Sequence, residues 1–294
     1  MGTYLDLRRR FTEAIEVHTL ARDLSHQVGN AHGEASAWNN LGAALQQVRR
    51  FDEAIEAHTR ARDLYQQTGD AHGEAGAWTN LGNALRQVRR FEEAIEAHTR
   101  AREAFHQLGD TGGEASAWNN LGLALRQVRR FDEAIEVHTR ARDLSHQVGN
   151  AHGEASAWNN LGLALGQVGR VEEAIEAHTR ALDLHHQAGD AHGEADAWNN
   201  LGTALLEVGR LEEALEAFAR ALDYCRQAGD GHGEAQTLHN VGMTLAGLGR
   251  VEEAVQALTR AVELFETTGD DHQAARTREA LDQLRQHPGG EQEN

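Results

Sequence analysis

Imidazoles, paired carboxylates and side-chain amides are the groups in this chain whose types and spacing could do chemistry. Eighteen histidines invite metal binding or acid–base catalysis. They recur eight residues apart, as His18 and His26, His98 and His106, His138 and His146, and His178 and His186. On a helix that spacing is about 12 Å of axial rise, too far for two imidazoles to share an ion, whereas helical metal pairs usually stand three or four residues apart. His185 and His186 are adjacent and point differently. Carboxylate pairs such as Asp52-Glu53 fall at expected helix starts, where they complement the helix dipole. Ser36, Ser116 and Ser156 have no distinctive base partner in sequence, and no P-loop or dinucleotide fingerprint occurs. The chain reads as a non-enzyme that needs no metal or cofactor.

The amides are the better clue. AWNNLG occurs at 37–42, 117–122, 157–162 and 197–202, with AWTNLG at 77–82 and TLHNVG at 237–242. Asn is a mediocre helix residue because its side chain competes for nearby backbone groups, so its recurrence in a helix needs a compensating role. A primary amide carries two N–H donors and an acceptor. It can therefore satisfy both the N–H and the C=O of an extended backbone without reading side chains. The alternative is that each Asn bonds a neighbouring helix and sets the spacing between repeats.

The elements that must position these groups repeat every forty residues. FDEAIEAHTRARDL at 51 returns as FEEAIEAHTRAREA at 91, FDEAIEVHTRARDL at 131 and VEEAIEAHTRALDL at 171. Residues 13–42 and 133–162 differ only at Leu20 versus Arg140. A Gly-Asp or Gly-Asn pair precedes each unit, suited to a left-handed helix stop followed by an N-cap. For the unit beginning at Gly69, helices are expected over about 71–88 and 91–108. Short joints (VRRF, later VGR) force the two into antiparallel contact. Trp78, Leu81, Leu85 and Val88 share one face of the first helix, with Gly82 permitting close approach. Ala94, His98 and Ala101 share a face of the second. One hairpin cannot bury both faces, so neighbouring units must stack.

Composition agrees. The single proline, Pro288, lies in the tail, and Ala, Leu, Glu and Arg dominate, as in an all-helical chain. A formal charge of −18 excludes a nucleic-acid or anionic-membrane surface. The 28 basic residues are all Arg, so Schiff-base chemistry is excluded too. Cys225 stands alone, ruling out an intrachain disulfide or thiolate cluster. No apolar stretch approaches a membrane span or a signal h-region, and the expected compartment is the cytoplasm.

These residues resemble the tetratricopeptide repeat, whose pattern is W-x₂-L-G-x₂-Y, A-x₃-F and A-x₄-P. Trp38, Leu41, Gly42 and Leu45 match the first helix, with Leu for Tyr. Ala54 and Ala61 match the second, with His58 for Phe, and Phe218 restores the Phe later on. The roughly forty-residue unit is similar to the subtype of kinesin light chains and bacterial regulatory proteins. The resemblance implies an all-α, right-handed superhelical solenoid over residues 1–287. That span divides into an incomplete first unit (1–30), six helix pairs (31–270) and a polar capping helix (271–287), followed by a disordered tail (288–294).

In that family the side of the first helices opposite Trp and Leu lines a concave groove that holds an extended partner segment. The resemblance therefore implies a ladder of Asn40, Asn80, Asn120, Asn160, Asn200 and Asn240, flanked by Asn39, Asn119, Asn159 and Asn199. Specificity would come from Asn83, Leu123, Leu163 and Met243 in one row and Arg86, Arg126 and Leu206 in another. The ligand expected is a protein or peptide with acidic groups near the two arginines and apolar groups beyond. The C-terminal-carboxylate clamp of co-chaperone members is not expected, because Asn39, Thr79 and Asn119 occupy its positions. The start inside a helix fits the sensor or docking region of a larger bacterial signalling protein. The rival reading is structural, with the open N-terminal end stacking copies into a homodimer or filament.

Overall fold

The helix starts and stops between hairpins trace to residues with a physical reason to be there. Asp70, Asp110, Asp190 and Asp230 act as N-caps, each carboxylate accepting from the backbone N–H three residues on, at 2.8–3.0 Å. Asn30 does the same for Gly33 at 2.9 Å. At the preceding stop Gly69 sits at φ +73°, and the Asp70 N–H bonds the Tyr65 carbonyl at 3.0 Å. That closes the last turn in a left-handed cap. The tighter joints within hairpins also need a left-handed residue. Gly169, Gly209 and Gly249 supply it in the later units, but Arg49, Arg89 and Arg129 supply it earlier, at φ +63° to +64°.

The computed structural model describes residues 2–286, and residues 288–294, expected to be a disordered tail, lie outside them. Among the described residues all regular structure is helical, and contacts group the chain into two compact units, Met1–Asn160 and Leu161–Asn294. The first contains α1 (Gly2–Gln27), α2 (Ala31–Gln47), α3 (Phe51–Thr68), α4 (Ala71–Gln87), α5 (Phe91–Leu108), α6 (Thr111–Gln127) and α7 (Phe131–Gln147). The division falls within α8 (Ala151–Gln167). The second unit continues with α9 (Val171–Ala188), α10 (Ala191–Glu207), α11 (Leu211–Ala228), α12 (Gly231–Gly247), α13 (Val251–Thr268) and α14 (Asp271–Gln286).

Within each unit, helices adjacent in sequence pack as antiparallel neighbours, and α2, α4 and α6 also touch one another, as do α10 and α12. The core is built from short side chains. Leu81, Leu85, Ala94 and Ala97 close one hairpin together with Ala124 of the next, and Trp78 and Ile95 pack at its edge. Trp78 and Val88 are half-buried rather than enclosed.

The closest approach is at glycine. A Cβ on Gly82 would stand 2.5 Å from the His98 ring, and the same holds at 2.5–2.6 Å for Gly42 against His58, Gly122 against His138 and Gly162 against His178. No side chain fits there while the ring stays in place.

The first unit departs from the others. The residues aligned with the end of a first helix run straight into the second, and α1 is one helix of 26 residues with no joint. A left-handed arginine, as at the joints of Arg49, Arg89 and Arg129, costs about 1–2 kcal/mol.

The arginine joints give a test. Arg89→Gly is expected to raise stability by about 0.5–1 kcal/mol, a Tm gain of roughly 2 °C. Gly209→Arg should lose a similar amount. Thermal unfolding of both variants checks the pair, and a neutral or negative result at residue 89 contradicts the assigned strain.

Candidate functional site

The hairpin rings are histidines at the base of a polar relay. His58 is fully enclosed, and its Nδ1 shares a hydrogen bond with Asn39 Oδ1 at 3.0 Å. The same Asn39 oxygen accepts from Asn80 Nδ2 of the next unit at 3.1 Å. One repeat block later the pattern returns, with His138 to Asn119 at 3.0 Å and Asn160 to Asn119 at 3.1 Å. In the second compact unit Asn240 donates to Asn199 at 3.3 Å, while Phe218 takes the histidine's place against Gly202. Asn39 and Asn119, each the first Asn of an NN pair, thus face their own hairpin's ring. The second position, at 80, 160 and 240, reaches back to the first helix of the preceding hairpin.

The relay breaks at Thr79. Its hydroxyl donates to the Ala75 carbonyl at 3.0 Å, and both ring nitrogens of His98 are buried without a partner. Asn120, which would have donated to residue 79, has no hydrogen-bond partner among the described residues and is half-exposed. Asn40 is exposed.

Two arginines lie close to these rings. Arg86 on α4 and Arg126 on α6 are half-buried, and each has a buried Nε with no partner. No carboxylate pairs with either guanidinium among the described residues. Burial pushes both pKa values down from their usual level. Burial is also the main cause of the low histidine values. It takes His58 to about 4. With the added charge of Arg86 it takes His98 to about 4, and with that of Arg126 it takes His138 to about 3. Asn83, Leu123, Leu163 and Leu206 are half-buried, and Met243 is exposed. Gln46 donates to the Asn80 carbonyl at 3.4 Å, tying α2 to α4.

Elsewhere on the units a second pattern appears that spacing alone did not reveal. Arg22, Arg62, Arg102 and Arg142 lie over Trp38, Trp78, Trp118 and Trp158, with 4.5–5.0 Å from guanidinium carbon to ring centre. The signal was present as an Arg sixteen residues before each of these four Trp.

The tetratricopeptide repeat model matches residues 1–67, 33–107, 73–147, 113–187, 153–227 and 193–267 in overlapping tandem. The chain belongs to the tetratricopeptide repeat family. As such it is a protein–protein interaction scaffold, and no enzyme family is indicated. Solved structures share the fold at low identity. BtubC (BKLC) from P. vanneervenii is 20% identical with a TM-score of 0.66, over 75% of this chain and 92% of that one. The apo form of RapI is 13% identical with a TM-score of 0.66, over 86% and 98%. A Rap protein complexed with Competence and Sporulation Factor is 14% identical with a TM-score of 0.61, over 88% and 76%. A comparison with curated proteins returns no match. No described helix of this repeat protein is long and apolar enough to cross a membrane.

The buried rings make stability pH-dependent. Unfolded histidines take up protons below about pH 6.5, and the folded ones do so only near 3–4. The unfolded state therefore binds more protons across that window, and stability present above pH 6.5 is lost as pH falls. The loss is about 1 kcal/mol per ring by pH 5.5, so Tm should be lower at pH 5.5 than at 7.5. His98→Phe, which copies Phe218 and removes two unpaired nitrogens, should raise stability by about 1–2 kcal/mol and flatten this dependence. Thermal melts of wild type and variant at the two pH values check both. A Tm unchanged by acid, or a destabilised variant, contradicts the burial argument.

Proposed function

We propose that this scaffold holds an extended, partly acidic segment of a partner protein along the face where α2, α4 and α6 run side by side. The observation that carries this reading is the pair of half-buried, uncompensated guanidinium groups of Arg86 and Arg126 in a protein of net charge −18. A buried cation with no acid beside it is costly unless something pairs with it, and a carboxylate pairs with Arg in a bidentate way. Asn120, whose side chain has no hydrogen bond among the described residues, is the amide best placed to bind a backbone. Asn80 and Asn160 keep an Oδ1 and a second N–H beyond the inter-helix bond, and the half-buried Leu123 and Leu163 would offer apolar contacts. Asn40, Asn200 and Asn240 extend the same role along the array, with Asn39, Asn159 and Asn199 supporting them. Leu206 and Met243 offer apolar contacts further on. A Rap protein of like fold carries Competence and Sporulation Factor, which is consistent with a bound factor on this architecture. The same resemblance favours a place in a bacterial signalling protein.

Packed helices lie about 8–10 Å apart and an extended chain advances about 3.3 Å per residue. Two ligand carboxylates serving Arg86 and Arg126 should therefore stand about three residues apart. Selection of a random peptide library on the folded protein is expected to enrich acidic residues at that spacing. The selected peptides should bind Arg86→Ala/Arg126→Ala at least tenfold more weakly and Asn120→Ala severalfold more weakly, with Tm unchanged for Asn120→Ala. Peptides without acidic enrichment, or equal binding to the arginine double variant, reject the reading.

A second reading, self-association, is favoured by one patch. Val17, Leu20 and Leu24 on α1 and Val28 just after it are 58–70% exposed, whereas Val137, the counterpart of Val17, is 7% exposed. Light scattering over a dilution series discriminates. A dimer abolished by Leu20→Arg, the residue its own copy carries at Arg140, supports stacking through α1, and a monomer at all concentrations rejects it.

A further inference from the structure

Trp198 lacks the cation that covers the other tryptophans. Arg22, Arg62 and Arg142 each stack on a Trp and also bond the neighbouring carboxylate, Nε to Asp23 at 2.8 Å, to Asp63 at 2.9 Å and to Asp143 at 2.8 Å. Arg102 instead bonds Glu103 through its Nη2, at 3.3 Å. In the next repeat the arginine is replaced by Leu182, yet both of its former partners remain. Trp198 keeps the ring, and Asp183 keeps the carboxylate, which has no partner among the described residues. One repeat later the tryptophan has gone as well, and Leu222 packs against a cluster containing Leu238. A leucine facing a tryptophan therefore occurs at this one place.

The missing side chain leaves space. A cleft of about 470 Å³ is lined by Leu182, Asp183, His186, Glu194, Trp198 and Arg220 among others. Leu182 supplies the aliphatic root of the absent arginine and nothing beyond it. Glu194 accepts from His186 Nδ1 at 3.2 Å, as Glu114 does from His106 at 3.0 Å beside the arginine-covered Trp118. Arg220 does not bar a second cation. Its counterpart Arg100 lines the cleft at Trp78, where Arg62 is nevertheless stacked.

We propose that this cleft on α9, α10 and α11 is a docking site for an arginine side chain of a partner protein, stacked on Trp198 and paired with Asp183. The protein itself displays the occupied form at four sister positions, which fixes the chemistry as guanidinium over indole with an adjacent carboxylate. The site is separate from the face bearing Arg86 and Arg126 and does not depend on a ligand there.

The test uses the full chain labelled with ¹⁵N and follows the five tryptophan indole N–H signals during titration with N-acetyl-L-arginine amide. Trp198 is identified by the signal lost in Trp198→Phe. Its signal should shift saturably while the four arginine-covered indoles move by less than a fifth as much. N-acetyl-L-citrulline amide, of the same shape without charge, should produce no saturable shift, and N-acetyl-L-lysine amide should bind at least threefold more weakly. Asp183→Asn should weaken arginine binding at least threefold. Leu182→Arg should abolish it and move the Trp198 signal toward its bound position, because the cleft is then filled from within. Equal movement of all five signals, equal response to citrulline or lysine, or arginine binding that survives Leu182→Arg would overturn the proposal.

Discussion

Hairpin packing depends on a glycine having no side chain where a ring, or in the hairpin of Gly242 a leucine, must stand. Gly42, Gly82 and Gly122 let the rings of His58, His98 and His138 press onto the first helix so closely that a methyl group would collide with them. The contact sets how near the two helices come, and so which small residues can fill the seam. Ala54, Ala57 and Ala61 are each at most 1% exposed beside it. Because the ring is an imidazole in the earlier units, the same contact buries an ionisable group and obliges the neighbourhood to supply a hydrogen bond. Asn39 and Asn119 supply it, and in doing so present an oxygen to the next unit. One steric constraint thus links packing within a hairpin, spacing between hairpins and the response to acid.

The later units resolve the same constraint differently. Phe218 and Leu258 occupy the ring position with no nitrogen to satisfy, and Asn199 is left to serve Asn240. The break at Thr79 shows the cost of changing one partner alone, since it leaves His98 with neither ring nitrogen bonded and frees the amide of Asn120. A local fault in internal bonding is also where polar groups become available to a ligand, and Arg86 and Arg126 flank it on α4 and α6.

Much of the architecture was legible because local rules were repeated without conflict. The forty-residue period, the Gly-Asp punctuation and the short joints placed every helix boundary of the unit at 69–108 within about one residue. What the helical wheel did not fix was direction within a polar arc. Asn39 and Asn40 are adjacent, and a wheel puts both on the side away from Trp38. Only the position of the His58 ring decides that Asn39 turns toward it. The stacking of Arg62 on Trp78 was equally hidden, because it joins the end of one hairpin to the start of the next across sixteen residues. The unbroken α1 was unreadable for another reason. A turn forms only when both arms gain a partner, and sequence similarity to other joints carries no information about that gain.

The amide bond between units has a constant register, since Asn80 to Asn39, Asn160 to Asn119 and Asn240 to Asn199 all span 41 residues. A junction of fixed register lets a module be excised or duplicated whole with its two new neighbours already matched. Removing residues 41–80 would bring Asn120 opposite Asn39 and erase the fault at Thr79 in the same event. Repeat number is thus a quantity that recombination between near-identical gene segments can change without redesigning any seam, and the near-identical stretches 13–42 and 133–162 are the kind of record such an event leaves.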